Sequence, residues 1–166
     1  MRDVFFILMA GLTTIVIQTT FAGFFWGSEY KPDLMLVLVS WAGFRMQFLV
    51  GVALAFCGGL ILDLFSGSPS GLFSLMYCFL LLAFGYADSR FHVDSNSAKA
   101  VMIFAASLIV GGMVFIMRRV ASPVELGWNV GQWIIIKSGI TAMTSLVILP
   151  ALDSLWSGYT RLVGIR

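Results

Sequence analysis

The sequence predicts an all-α polytopic membrane protein: one transmembrane domain over residues 1–166, with about six helices in a single bundle. Three observations lead there. Of the 166 residues, 60% are hydrophobic and 11% charged, whereas a soluble domain has about half apolar and about a quarter charged residues. The apolar residues fall in long runs divided by short polar breaks, and a membrane helix needs about 20 such residues. Those runs use up the chain, so little length is left for an extramembrane catalytic domain.

The elements follow in order. Val4 to Trp26 is apolar for longer than a signal-peptide core and has no clear small-x-small cleavage site, which makes it the first span. The polar break Gly27 to Asp33 leads to a run from Leu34 to Phe44, then Arg45 and Gln47, then a run from Phe48 to Phe65. These two runs read either as one kinked span or as a hairpin of two. If separate, the second span, Pro32 to Gln47, is only about 24 Å long at 1.5 Å per residue, so it must thin the bilayer or sit within protein. The breaker-rich turn Ser66 to Gly71 ends the third span. Gly71 to Ala87 forms the fourth. Asp88 to Lys99, with Arg90, His92 and Asp94, reads as the most polar loop, and Ala100 to Met117 as the fifth span. The sixth runs from about Val130 to Leu149, where Pro150 closes it and leaves a short tail.

Basic residues in short loops set orientation. Six spans with both ends cytoplasmic place Arg2, Arg45, Arg90, Lys99, Arg161 and Arg166 inside against Lys31, Arg118 and Arg119 outside. A five-span arrangement gives a weaker bias, so six is preferred. Aromatic residues suit this choice, with Trp26, Tyr30, Trp128 and Trp133 at one interface and Trp156 and Tyr159 at the other.

Composition also excludes functions. A formal charge of +2 with basic residues scattered along the chain argues against a nucleic-acid surface. Cys57 and Cys78 lie in apolar runs without CxxC spacing, so they read as small buried hydrophobes, with no disulfide and no metal site implied. His92 is the only histidine and reads as a solvated loop residue. Gly58-Gly59 and Gly111-Gly112 lack the strand-turn-helix context of a phosphate loop. No catalytic cluster and no cofactor is indicated.

Two features point to contacts. Gly51, Ala55 and Gly59 form an i, i+4 row that continues to Asp63, and small residues at this spacing let membrane helices approach closely. The row meets either a helix of this chain or a partner's helix. Ionisable groups inside spans are costly and suggest function. Asp63 and Lys137 are two such groups; with Gln18 they suggest an outward-facing polar pocket, the alternative being that Lys137 snorkels and Asp63 caps the Ser66–Gly71 turn. Lys137 also starts a polar stripe with Thr141, Thr144 and Ser145.

From Lys31 to Tyr86 the chain resembles the rod shape-determining MreD family. The shared elements are Pro32-Asp33-Leu34 opening an apolar run, Gly43, Gly51, Phe56, Gly59-Leu60, Leu62-Asp63-Leu64, and Ser66-Gly67-Ser68-Pro69-Ser70-Gly71-Leu72. Ala55 stands where the family often has Gly. The resemblance implies a non-catalytic inner-membrane scaffold of bacterial side-wall peptidoglycan synthesis. It implies direct binding to MreC, a protein with one membrane span, and assembly with MreB, RodA and a penicillin-binding transpeptidase, in contact with membrane lipid. Pro32, Asp33, Gly51, Ala55, Gly59, Asp63, Gly67, Pro69 and Gly71 are the motif residues that it carries over; Asp63 and the turn are expected to be structural, and the glycine face or an outer helix face is expected to dock the helix of MreC. The six-helix arrangement also looks like the substrate-binding subunits of energy-coupling-factor transporters. A small-molecule-binding transporter subunit, using Gln18, Asp63 and Lys137, is therefore the competing expectation.

Overall fold

A computed structural model describes residues 2–21, 32–66, 71–91, 95–121 and 130–162. They form six helices: α1 Arg2–Val16, continued by a π-helical turn Ile17–Phe21, α2 Leu34–Arg45, α3 Phe48–Ser66, α4 Leu72–Phe91, α5 Asn96–Ala121 and α6 Val130–Leu162. The last four are each long and apolar enough to cross a membrane. Their outward side chains include Leu49, Leu64, Phe65, Leu75, Phe79 and Val147, all more than two-thirds exposed. Such a surface would aggregate in water, and in a bilayer it meets lipid. The protein is an all-α, multi-pass membrane protein.

The apolar stretch 34–65 is two helices. Arg45 ends α2, and Met46, in extended conformation, breaks the helical path before Phe48. The helices fold back on each other, so that Met35 near the start of α2 lies over Gly58 far along α3. At twelve residues α2 is only about 18 Å long, too short to cross alone. Every residue from Leu34 to Ala42 is buried, and a helix apolar around its whole circumference needs protein on all sides. α1, α3, α4, α5 and α6 supply that wall. Of the two expectations for this short span, it is the one enclosed by protein.

The spans also run past their expected ends. α4 reaches Phe91 and α5 starts at Asn96, which shortens the expected Asp88–Lys99 loop; His92 and Asp94 lie outside the described residues. The expectation that Pro150 ends the sixth span is corrected, since α6 continues through it to Leu162. Proline removes one i→i−4 bond, and in a helix packed among others the freed group can be satisfied locally. At 33 residues, about 50 Å, α6 exceeds the hydrocarbon thickness. Trp26, Tyr30, Trp128 and the remainder of the first expected span beyond Phe21 lie outside the described residues.

Candidate functional site

The start of α2 is the most polar point of the interior. A helix leaves its first N–H groups without intrahelical partners, and buried ones must find partners elsewhere. Here each is accounted for. Leu34 N donates to Pro32 O at 3.1 Å and Val37 N to Asp33 O at 3.3 Å. Met35 N donates to Gln18 Oε1 of the π-helical turn after α1 at 3.2 Å, and Leu36 N to Asp33 Oδ1 at 3.0 Å. Asp33 is thus the N-cap, a position that favours a short side-chain oxygen. Its own N–H donates to Thr141 Oγ1 of α6 at 3.2 Å. Its carboxylate accepts the Tyr77 hydroxyl of α4 at 2.9 and 2.8 Å. Asp33 is 5% exposed and Tyr77 fully buried. Side chains from the π-helical turn, α4 and α6 therefore converge on the start of α2 and its motif residue Asp33.

The second motif carboxylate has a different task. Asp63, on the last turn of α3, accepts Gly71 N at 2.9 Å through Oδ2 and Phe73 N at 3.0 Å through Oδ1, with Ser74 Oγ at 3.5 Å. Gly71 precedes α4 and has φ +97°, a conformation that glycine adopts without penalty. It has no side chain to cap α4, and Asp63 supplies the missing oxygens. Gly67 and Pro69, within the same turn, lie outside the described residues.

The small-residue row is occupied by this chain's own α4. A Cβ on Gly51 would approach Leu81 Cδ1 at 2.8 Å, and one on Gly59 would approach Ser74 N at 2.6 Å and overlap Ser74 Cα. Ala55, between them, is fully buried. Gly58 turns the other way, beneath Met35.

At the opposite end of α2, Asp153 of α6 accepts Trp41 Nε1 at 2.9 Å and pairs with Arg45 at 3.2 Å. Trp156 packs edge-on against Trp41 at 6.1 Å and lies 5.9 Å from Tyr159. α2 is thus held at both ends by polar side chains of its neighbours.

Among the described residues no contact joins Gln18, Asp63 and Lys137, the three residues of the expected pocket. Gln18 bonds the start of α2, Asp63 caps α4, and Lys137, half-buried on α6, forms no ion pair with Asp63. None of the four cavities described is lined by any of the three. The largest is an apolar groove of about 550 Å³ between α1 and α3, whose walls include Gly11, Val16, Leu49, Ala53, Cys57 and Ile61. Cys57 is exposed there, contrary to its expected burial, and Cys78 is half-buried. Among the described residues no three His, Cys, Asp or Glu side chains gather as metal ligands would.

Sequence reading missed Tyr77, Trp41 and Asp153. A tyrosine inside an apolar span was the available signal for the first, because a buried phenol seeks an acceptor. Asp153 was hidden by assigning everything after Pro150 to a tail.

No curated protein and no solved structure matches the chain. A family model described as rod shape-determining protein MreD matches residues 2–155, which takes in both motif carboxylates, the glycine row and the polar ends of α2; the chain belongs to this MreD family, and with it to the proteins that determine rod shape.

Proposed function

We propose that this protein is a non-catalytic scaffold of the cell-elongation machinery in the bacterial inner membrane, with both termini cytoplasmic. It binds the single membrane helix of MreC and, through that assembly, helps position MreB, RodA and the elongation transpeptidase. One observation carries the reading: the polar groups of the interior are committed to holding the ends of α2 and α4 in place, and an apolar groove opens between α1 and α3. Asp33, Gln18, Tyr77, Thr141 and Asp63 spend their polar atoms on helix ends. The groove between α1 and α3 is apolar, with the small residues Ala53 and Cys57 exposed among its walls, and small residues on a helix face favour helix association in a bilayer. The Gly51–Ala55–Gly59 face is already filled by α4, so the docking surface is an outer one.

The test is a mild-detergent pull-down of the tagged protein from its native membrane, comparing the wild type with Ala53→Trp, which fills the groove from an exposed position. MreC is recovered with the wild type and lost with the variant at equal protein level. Undiminished recovery with Ala53→Trp rejects the groove. Absence of MreC from the wild type, or recovery of paired ATPases and their membrane coupling subunit, rejects the scaffold reading.

A further inference from the structure

A cavity of about 520 Å³ lies where α2 and α4 end and α3 begins, apart from the groove and from the Asp33 and Asp63 clusters. Its wall is the close crossing of α2 on α4: a Cβ added to Gly43 would meet Phe84 Cβ at 3.1 Å, and one on Gly85 would meet Gly43 O at 3.6 Å. Phe48 and Leu82 line it and are half or more exposed on the lipid side. Arg45, Gln47 and Asp88 also line it. The membrane-crossing windows Phe48–Phe65 and Leu72–Arg90 begin and end here, so the cavity straddles the boundary between hydrocarbon and water.

The charges are unequal in what they have left to offer. Arg45 is engaged by Asp153 through Nε at 3.2 Å and a terminal nitrogen at 3.3 Å. Lys99 sits over the Phe44 ring, 5.5 Å from its centroid. Asp88 is half-buried and has neither a hydrogen bond nor an ion pair among the described residues. Among the described residues, the charge of the cavity that is left without a partner is therefore a carboxylate, beside one guanidinium whose charge is largely answered.

We propose that this cavity binds a zwitterionic phospholipid carrying a primary ammonium, phosphatidylethanolamine. The ammonium donates to Asp88, the phosphate accepts from the N–H groups of Arg45 that Asp153 leaves free and from the side-chain amide of Gln47, and the acyl chains leave along Phe48 and Leu82. An anionic headgroup meets the unanswered Asp88 charge and finds only a guanidinium already paired. A quaternary ammonium has no N–H for the carboxylate, so phosphatidylcholine binds less well.

The test is native mass spectrometry of the full chain, delipidated in mild detergent and titrated separately with phosphatidylethanolamine, phosphatidylglycerol and phosphatidylcholine of identical acyl chains. The wild type retains phosphatidylethanolamine preferentially. Asp88→Asn lowers that retention about tenfold, the effect of losing one charge-assisted hydrogen bond, and brings it to the phosphatidylcholine level. Asp88→Glu keeps the preference. Ser89→Trp, at the exposed edge of the cavity, lowers retention of all three lipids and gives an independent reading should Asp88→Asn fold poorly. Equal retention of the three lipids, stronger retention of phosphatidylglycerol, or a preference unchanged in Asp88→Asn overturns the proposal.

Discussion

Tyr77 donates its hydroxyl to Asp33 at 2.8 Å, and through this contact α4 grips the first turn of the central helix. The two residues are 44 positions apart and both buried. Because Asp33 also caps Leu36 N, its carboxylate orients the helix end and depends on Tyr77 for its remaining hydrogen bonding. Tyr77→Phe removes only the oxygen, so packing is nearly unchanged and the loss is one buried hydrogen bond to a carboxylate. The expected cost is about 1–3 kcal/mol. Thermal unfolding in detergent checks it: Tyr77→Phe lowers the midpoint, whereas Phe79→Leu, on the lipid-exposed face of the same helix, leaves it nearly in place. Equal midpoints for Tyr77→Phe and wild type refute the assignment.

Asp63→Ala strips the cap from α4. The cost expected for a lost helix cap is about 0.5–2 kcal/mol, and two N–H groups, Gly71 and Phe73, lose their acceptor together. Asp63→Asn keeps one carbonyl acceptor and falls between. Hydrogen exchange at the first turn of α4 reads the effect locally, with faster exchange at Leu72 to Ser74 in Asp63→Ala. Protection equal to wild type there contradicts the capping role.

Asp63 and Gly71 were legible as a pair because they flank one breaker-rich turn, eight residues apart, and turn chemistry is local. The membrane class was legible from composition, whereas Arg45 and Gln47 left one kinked span and a hairpin both open, and the count of basic residues in the loops favoured two spans. Asp33 was visible as a motif residue, but its partners Gln18, Tyr77 and Thr141 come from three other helices, and helix periodicity carries no information about which faces meet. The burial of α2 was signalled only by its length. Pro150 misled because a proline ordinarily stops a helix in water, and the end of the bundle that Asp153 and Trp156 build was lost with it.

Gly59→Leu separates intramolecular packing from partner docking. A side chain there meets the Ser74 backbone of α4, which cannot yield as a flexible side chain would. The expected result is a lower level of folded protein and an early unfolding midpoint in the absence of any partner, with overpacking costing about 1–3 kcal/mol or more. Gly51→Ala, facing only the movable Cδ1 of Leu81, is milder. Normal stability of Gly59→Leu in purified protein combined with loss of MreC in the pull-down would instead assign this face to the partner.

Asp153 makes two contacts of unequal worth at the other end of α2. The pair with Arg45 involves a side chain half exposed to solvent, and such pairs contribute about 0–1 kcal/mol. The bond from Trp41 Nε1 is shorter, at 2.9 Å, and Trp41 is 2% exposed, so removing its acceptor costs about 1–3 kcal/mol. Arg45→Ala is therefore expected to move the unfolding midpoint little, and Asp153→Ala to move it clearly. Asp153→Asn, which keeps an acceptor for Trp41 and loses the ion pair, follows Arg45→Ala. If Asp153→Asn and Asp153→Ala destabilise equally while Arg45→Ala does the same, the ion pair rather than the indole bond holds α6 to α2.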